Sequence, residues 1–458
     1  MRNIEQEHPD YVARRSMWRM YRDLYAGGEQ LKSNAHEYLN RRVKEPNEVY
    51  GERLSKVFYE NYAGSIIDWY SSTLFRREPV LHIEGRNDYG RRFFNALADD
   101  CDLKGSNLTD FYRKQVVEML VCGSSYILVD FPAPRKAAVN RAEEEASGAS
   151  RAYLVPYSAQ EVVNWSRDEQ GNFDWVVIRT ESRRKESPEA SDWTVETRWS
   201  YYDRETFRVF RKIEGREIEQ VRAGRHGLAK LHRVPLFEMN VSEGLWLMNK
   251  AGLLQLEHFN KSNALGWALS MGLFAMPVIY SERDWAQVAG ESYYIQLGPN
   301  DKFGWTEPEG HVYQIASENL SRLQEEIYRV CYLMTQGGRN STQTPQSGLS
   351  KLRDYAITQE VLRAYGDTVK DSIKRVLRAI EAAREDGLSI DVSGLDEFDI
   401  TDFSSDLEDA KTLLSMDIPS PTFRKQVYKR LAQKYLCDVR QELKDQIALE
   451  IDKGLEGA

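Results

Sequence analysis

The sequence predicts an α+β fold that is mainly helical. Helix-length amphipathic stretches run from Tyr11 to about Phe75, and again from about Ser242 onward. Between them, from Tyr153 to about Asn240, lie strand-length runs rich in β-branched and aromatic residues. The composition, 41% hydrophobic and 29% charged, is that of a folded protein. A chain of 458 residues can form two or three domains, or one elongated subunit of an assembly.

The first part of the chain is predicted to be helical. The run "YVARRSMWRMYRDLYAG" predicts one helix that ends at Gly27 and Gly28, and a second amphipathic stretch runs from Val49 to Leu74. "RRFFNALADDCD" and "LTDFYRKQVVEMLVCG" predict two more helices. Thr109 is the predicted N-cap of the latter, because its hydroxyl can accept a free backbone N–H. "SSYILVDFP" then predicts a short buried strand.

The middle of the chain changes to β structure. Residues Ala133–Arg151 are charged, rich in Ala and Ser and weakly patterned, so we expect an exposed insertion there. The runs "FDWVVIRT", "DWTVETRWSYY", "TFRVFRKIEG" and "REIEQVRAG" follow, separated by polar turns. Successive strands with short connections predict an antiparallel meander.

Two helices around a small mixed segment are predicted next. The first runs from about Ser242 to Met276, and the segment Pro277–Ile315 contains the strand-like runs "PVIY" and "SYYIQL". The second helix is "SENLSRLQEEIYRVCYLMT", with Ser317 as its predicted N-cap. It is followed by "QGGRNSTQTPQSGLS", a polar stretch with one charge, Arg339. Such a stretch is either a linker between two helices or a loop along which another molecule moves.

The C-terminal part returns to helix. From Lys351 to about Arg384, mainly apolar residues recur in alternating steps of three and four, which predicts a sided helix about 50 Å long. Residues Asp391–Asp409 contain eight acidic residues and no basic one, and we interpret them as a solvated acidic face. Two more helices are predicted in "SPTFRKQVYKRLAQKYL" and "DVRQELKDQIALEIDKG".

Charge and cysteines narrow the functional classes. The net charge of −9 disfavours tight DNA binding by the whole chain, because proteins that neutralise phosphates are normally basic. The four cysteines are far apart and are predicted to be reduced core residues of an intracellular protein. No secretory signal is predicted at the N-terminus. Residues Ser262–Ser281 carry no charge over a bilayer length, but Asn263 and Pro277 favour a buried helix over a membrane span.

Catalytic and metal-binding patterns are weak. His226 and His232 lie in a turn region, where a structural role is favoured over metal ligation. "VCGSSYI" lacks the GxSxG pattern of a nucleophile elbow, so a catalytic Ser124 or Ser125 is not predicted. The glycines of "GGRNSTQTPQSG" lack the GK[ST] ending of a phosphate-binding loop. The acidic run lacks the order of an EF-hand loop. We therefore expect neither enzyme activity nor a cofactor.

The order of the parts resembles that of the portal proteins of tailed bacteriophages. The resemblance extends over most of the chain and depends on no single motif. Its parts in order are "YENYAGSIIDWYSSTLFRREP", "GSSYILVDFP", a β-rich middle ending "HRVPLFEMN", the long helix in "LLQLEHFNKSNALGWALSMGLFAMPVIY", a polar loop ending "SGLSKLRDY", and the tail "SMDIPSPTFRKQVYKRL".

In that family the chains form a ring, usually of twelve, at one capsid vertex, and a terminase motor pumps DNA through its central tunnel. The resemblance implies a portal fold with wing, stem, clip and crown regions. Here they would be the wing (1–241), the stem helix (242–276), the clip (277–316), the stem return helix (317–335), the tunnel loop (336–350), the long wing helix (351–390), and an acidic connection with crown helices (391–458).

The resemblance also implies partners and a location. The partners would be further copies of the chain, the terminase large subunit, the major capsid and scaffolding proteins, a head–tail adaptor, and double-stranded DNA passing through the channel. The protein would be assembled in the host cytoplasm and reside in the virion at the portal vertex, with no membrane involved.

Two sets of site residues follow from the resemblance. The tunnel loop would touch DNA briefly through amides and hydroxyls, while the acidic chain repels phosphate. The DNA-channel residues would be Gly337, Gly338, Arg339, Asn340, Ser341, Thr342, Gln343 and Lys351. Small residues of the stem helix permit close approach of a neighbouring subunit, and those predicted for the interface are Gly266, Ser270 and Gly272.

Two other readings remain open from the sequence. The chain could be another phage connector or a capsid-associated scaffold, although the ordered stem, clip and stem argue against this. It could also be a hydrolase with an unrecognised carboxylate pair, such as Asp399 with Asp402 or Asp406 with Asp409.

Overall fold

The computed structural model describes residues 3–132, 151–185, 187–189, 192–273, 276–280, 302–306, 310–333, 348–396, 398, 410–416, 418, 420–436, 439 and 441–454. The chain forms two compact units. Unit 1 comprises Met1–Arg22, Ile66–Asn249 and Gln346–Ala458, and unit 2 comprises Asp23–Ser65 and Lys250–Pro345. Each unit therefore combines segments that are far apart in the sequence.

The elements confirm the predicted mixed α+β class. The helices are α1 (Pro9–Ala26), α2 (Gly28–Tyr38), α3 (Asn47–Ser55), α4 (Tyr62–Leu74), α5 (Asp88–Asp99), α6 (Leu108–Cys122), α7 (Leu247–Leu273), α8 (Gly310–Val330), α9 (Gly348–Arg384), α10 (Pro421–Tyr435) and α11 (Gln441–Gly454). The strands are β1 (Val80–Glu84), β2 (Ser124–Asp130), β3 (Tyr153–Ser158), β4 (Val162–Arg167), β5 (Phe173–Arg184), β6 (Thr194–Asp203), β7 (Thr206–Ile213), β8 (Glu219–Arg225), β9 (Leu236–Asn240), β10 (Met276–Tyr280), β11 (Lys302–Thr306) and β12 (Ser389–Ser393).

A five-stranded antiparallel sheet in unit 1 has the order β4–β5–β6–β7–β8. Neighbours in the sheet are neighbours in the sequence, so the predicted meander is present. The tight turn between β6 and β7 is closed by Asp203, whose carboxylate accepts the backbone N–H groups of Glu205 and Thr206 at 2.9 and 2.6 Å. The expected insertion before the meander, residues 133–150, lies outside the described residues.

A smaller sheet, β3–β2–β9, carries the predicted buried strand at its centre. The helix before it, α6, is capped by Asn107, whose side chain accepts the Asp110 backbone N–H at 2.7 Å. The prediction of Thr109 as the N-cap was wrong, because Thr109 lies inside the first turn and is buried. Gly123 ends α6 with φ of 84°, a conformation that glycine adopts without a Cβ penalty.

The long helix α9 has the predicted sided pattern over its described side chains. The predicted stripe positions that are buried are Leu362, Gly366, Val369, Ile373, Val376 and Ile380. At Gly366 helix α9 lies so close to the main chain of Leu395 that a Cβ on residue 366 would be 2.2 Å from the Leu395 carbonyl oxygen. Strand β12 follows and pairs antiparallel with β1.

Unit 2 departs from the predicted helix boundaries. The stretch Val49–Leu74 is interrupted after Ser55, and helix resumes only at Tyr62. Helix α2 was not predicted. It contains few apolar residues, and its side chains Gln30, Asn34 and Tyr38 all donate hydrogen bonds to the buried Asp23 carboxylate.

The predicted start of the second long helix of unit 2 was also wrong. Helix α8 begins at Gly310, so Ser317 lies within it and is not its N-cap. Residues 310–315, predicted as the end of the mixed segment, are therefore helical. The preceding strands β10 and β11 pair antiparallel, whereas the strand-like run "SYYIQL" lies outside the described residues.

In the described part of the chain no helix is long and apolar enough to cross a membrane. Cys101, Cys122 and Cys331 are buried thiols, and burial raises the pKa values of Cys101 and Cys331 to about 12. Cys437 lies outside the described residues.

Substituting Gly366 tests the contact between α9 and the backbone near Leu395. We expect Gly366→Ala to destabilise the protein by about 1–3 kcal/mol, since the added methyl group would overlap a carbonyl oxygen that belongs to the main chain and cannot rotate away. The measurement is chemical denaturation of the full-length chain. Gly51→Ala is the matched control, because Gly51 is a helical glycine with no atom within 4 Å of the added Cβ. Equal stability of the two variants would contradict the close approach.

Candidate subunit-interface and DNA-channel residues

Of the two predicted sets of site residues, the structure describes the interface set but almost none of the channel set. The channel residues Gly337, Gly338, Arg339, Asn340, Ser341, Thr342 and Gln343 lie outside the described residues. Lys351 lies in the first turn of α9, where only the backbone is described. Gly266, Ser270 and Gly272 all lie in the last part of α7. The channel assignment stays a prediction, and the candidate site that can be built from contacts is the surface of α7.

Helices α7 and α8 form an antiparallel pair. Lys250 near the start of α7 contacts the ring of Tyr332, just beyond the end of α8. Farther along α7, Lys261 Nζ lies 3.0 Å from Asn319 Oδ1, and the Tyr313 hydroxyl donates to the Ala268 carbonyl oxygen at 3.3 Å. Each step forward along α7 is a step back along α8, so the two helices run in opposite directions.

The connection between these helices begins and ends with paired strands. Strand β10 follows α7 and strand β11 precedes α8, and the two form an antiparallel ladder from Met276↔Thr306 to Tyr280↔Lys302. With 27 residues in α7 and 21 in α8, the pair is about 30–40 Å long at 1.5 Å per residue. This part of unit 2 is therefore a long helical hairpin with a two-stranded ladder at its connecting end.

Three buried amide side chains on α7 hold the chain segments before and after α3. Gln255 accepts the Ala63 N–H at 3.0 Å and donates to the Glu60 carbonyl at 2.8 Å. Asn260 accepts the Asn40 N–H at 2.7 Å and donates to the Tyr38 carbonyl at 3.0 Å.

Asn263 is the third amide, and it both accepts the Phe58 N–H at 3.1 Å and donates to the Phe58 carbonyl at 2.9 Å. Together the three amides bond main-chain groups at the end of α2, at the start of α4 and in the non-helical segments on either side of α3. Two of them, Gln255 and Asn263, bond main-chain groups of Glu60 and Phe58 in the break between α3 and α4.

A buried histidine lies next to this amide cluster. His258 is 2% exposed, with Nε2 3.5 Å from the Glu60 carboxylate and its ring edge-on to that of Tyr62, 5.1 Å away. Burial lowers the pKa of His258, an effect that the Glu60 carboxylate partly opposes. The imidazole is therefore neutral near pH 7, which fits a packing role in the hairpin.

The face of α7 that carries two of the predicted interface residues, Gly266 and Ser270, points away from α8. Gly266 and Ser270 lie about 160° round the helix from Ala268, the residue that contacts Tyr313. On this face there is a recess of about 190 Å³. Its lining residues are Leu39, Arg53, Lys56, Phe58, Asn263, Gly266, Trp267 and Ser270.

Gly266 makes room for a ring at this recess. A Cβ on Gly266 would lie 2.9 Å from Phe58 Cε1, so the absence of a side chain is already used within the chain. Ser270 is exposed, and its hydroxyl donates to the Gly266 carbonyl oxygen at 2.9 Å. Lys56 borders the recess, with its ammonium 2.7 Å from Glu52 and 5.6 Å from the centre of the Trp267 ring.

A buried ion pair supports one wall of the recess. Arg53 Nη1 donates to both oxygens of Glu45, at 2.9 and 2.8 Å, and the two side chains are 6% and 2% exposed. Hydrogen bonding to Arg53 holds the pKa of Glu45 below its usual range. Because both oxygens of Glu45 accept hydrogen bonds from Arg53, the Arg53 side chain is held in place where it lines the recess.

The residues considered for catalysis are not brought together. Ser125 is fully buried in β2, and Ser124 precedes it at the strand start. His226 Nε2 lies 2.9 Å from the Asp203 carbonyl oxygen, and His232 Nδ1 lies 3.1 Å from the Glu205 carboxylate. Both histidines therefore contact residues at the turn between β6 and β7, and their structural role stays a prediction.

The candidate carboxylate pairs and the possibility of a metal site are two separate questions. The nominated pairs Asp399 with Asp402 and Asp406 with Asp409 lie outside the described residues. Within the described ranges, no group of three or more His, Cys, Asp or Glu side chains could hold a metal ion.

Comparisons with known proteins give only distant likenesses. No family model and no curated protein matches the sequence. A chain from the neck of an empty GTA particle, computed with C6 symmetry, is similar over 85% of this chain and 95% of its own, with 11% identity and a TM-score of 0.40. A chain from the virion of a native gene transfer agent (GTA) particle is similar over 86% of this chain and 96% of its own, with 12% identity and a TM-score of 0.39. At these values neither likeness establishes a shared fold.

The amide cluster was missed by sequence reasoning. The signal that could have found it is the presence of Gln255, Asn260 and Asn263 within a long and otherwise apolar helical segment. Amides buried in such a helix must bond to something, and main-chain groups of a neighbouring irregular segment are suitable partners.

Removing one amide tests whether the cluster holds unit 2 together. We expect Asn260→Leu to destabilise the protein by about 1–3 kcal/mol, because it removes the hydrogen bonds that the Asn260 side chain makes to the Asn40 N–H and to the Tyr38 carbonyl oxygen. Chemical denaturation measures the loss, and hydrogen exchange should show faster exchange of the Asn40 amide. Gln314→Leu is the control, since this amide is exposed and its hydrogen bond among the described residues goes to Glu318 on its own helix, so its loss should change stability little. An unchanged Asn40 exchange rate would contradict the role of Asn260.

Proposed function

We propose that this chain is the portal protein of a tailed phage or phage-like particle. The observation that carries the proposal is the antiparallel α7–α8 pair with the β10–β11 ladder at its connecting end. That arrangement is what a stem, a clip and a return stem require. The long helix α9 follows it in the chain, and the β-rich middle precedes it, in the order on which the sequence resemblance is based.

In this proposal the chain is a ring subunit, and the ring is the channel for DNA. The subunits form a homo-oligomer at the capsid vertex. The resemblance to phage portal proteins implies twelve copies. The terminase large subunit docks at the clip during packaging, and a head–tail adaptor binds later, alongside contacts to the major capsid and scaffolding proteins. The chain has no enzymatic role of its own and requires no cofactor.

The net charge of −9 supports transport over retention. A channel lined with many basic groups would release counterions and hold DNA in a salt-sensitive manner. An acidic protein repels phosphate at a distance, so passing DNA meets only a few short-lived contacts. We assign those contacts to Gly337, Gly338, Arg339, Asn340, Ser341, Thr342, Gln343 and Lys351, with the two basic side chains meeting phosphate.

Ring formation by the purified full-length chain is the first test. We expect native mass measurement to give a closed oligomer of about a dozen subunits, and negative-stain images to show rings with a central hole. A rotationally symmetric assembly is expected because head-to-tail contacts that close generate rings. A chain that remains monomeric at high concentration would contradict the proposal.

Deleting the polar loop separates assembly from transport. Removal of Gly337–Ser347 should leave ring formation unchanged while impairing DNA packaging or retention in particles. The reason is that the loop is small and polar and contributes little to a packed core. Deletion of an equal number of residues within Ala133–Arg151 is the control, expected to affect packaging less. Loss of rings on removal of the loop would count against its position in the channel.

A further inference from the structure

A ring needs two different surfaces on each subunit that fit one another, because a head-to-tail contact joins unlike faces. Unit 2 presents two exposed patches with suitable chemistry. One is the recess on α7, described above. The other lies on α8, where Val312 and Ile315 are 62% and 52% exposed.

The two patches lie on opposite sides of the helix pair. Gly266 and Ser270 face away from α8, as the position of Ala268 shows. On α8, Ile315 and Glu318 lie about 140–160° round the helix from Tyr313, whose hydroxyl contacts α7. A neighbouring copy can therefore reach the recess with its α8 without disturbing the pairing of α7 and α8 within either chain.

The two patches also lie at the same level along the pair. The hydrogen bond from Tyr313 to Ala268 aligns the helices at this point. Because they are antiparallel, moving two residues on to Ile315 corresponds to moving two residues back to Gly266, about 3 Å in each case. In a ring whose copies are related by rotation alone, two surfaces that meet must lie at the same height along the ring axis. The two patches meet this condition if the helix pair runs along that axis.

Size and charge fit as well. The recess of about 190 Å³ can receive one branched aliphatic side chain, since an enclosed cavity of about 150 Å³ admits a benzene molecule. It is bordered by the exposed Lys56, whereas the exposed Glu318 lies one turn from Ile315. The ion pair of Lys56 with Glu52 lies across an exposed helix turn, a weak interaction that a neighbour's carboxylate can join.

We propose that Ile315 of one copy inserts into the recess formed by Phe58, Trp267 and Ser270 of the next copy, with Glu318 beside Lys56. The occupant of the recess is a second copy of this chain. This inference rests on the proposed ring. It names the contact by which neighbouring helix pairs join.

Disulfide trapping tests this contact. In a Cys437→Ser background, the double variant Ser270→Cys, Ile315→Cys should give, on mild oxidation, a ladder of covalent oligomers reaching the size of the ring. The native thiols at 101, 122 and 331 are buried and should not interfere. The matched control pairs Ser270→Cys with Ser321→Cys, an exposed α8 position about 9 Å farther along the helix, and should not give the ladder.

The outcomes separate this inference from the proposed function. Rings that form normally but give no ladder with positions 270 and 315, or give it equally with 270 and 321, would overturn the contact and leave the ring intact. A chain that forms no rings before any substitution would overturn both.

A second variant approaches the same contact without cysteine chemistry. Ile315→Asp places a charge where an apolar side chain enters the recess, and should raise the concentration for half-assembly at least tenfold. Ile357→Asp, at another exposed isoleucine on α9, is the control. Equal assembly of the two variants would contradict the proposal.

Discussion

The arrangement of unit 2 depends on the hydrogen bonds that three amide side chains of α7 make to main-chain groups near α3. Gln255, Asn260 and Asn263 each bond both a main-chain donor and a main-chain acceptor, in the irregular segments beside α3 or at the adjoining helix ends. These bonds hold the segment along one side of α7, and one of the three amides, Asn263, lines the recess beside Gly266. The opposite side of α7 is left for α8. A single helix thereby organises two layers, one on each side.

The same bonds explain what the sequence could and could not predict. The meander, the buried strand β2 and the stripe of α9 were predictable because alternation and helical spacing are local properties. The break between Ser55 and Tyr62 was not, because the groups that replace its helical bonds come from residues about two hundred positions away. Helix α2 was missed for a related reason, since its buried stripe is only Leu31, Ala35 and Tyr38, and its bonds to the buried Asp23 carboxylate are not visible in a hydrophobic pattern.

Errors at helix starts have a physical cause too. Thr109 and Ser317 have hydroxyls that suit an N-cap, but a capping residue must stand outside the helix with extended backbone. Asn107 does so at α6, and α8 begins seven residues before Ser317. Of the candidate site, the sequence located the small residues Gly266 and Ser270 correctly in one helix. It could not show that Gly266 accommodates Phe58, or that α8 covers the other side.

These features give the proposed portal function a physical basis. In the proposed ring the hairpin would be a wall element with unlike surfaces on its two sides, and the acidic composition would suit a path that DNA travels without being held. The most direct measurement is a cryo-electron microscopy map of the purified assembly, in which the positions of α7 and α8 can be traced. We predict a closed ring in which every α7–α8 pair borders the central hole and contacts the next pair. A ring with these helices on its outer rim, or an assembly without a hole, would contradict the account.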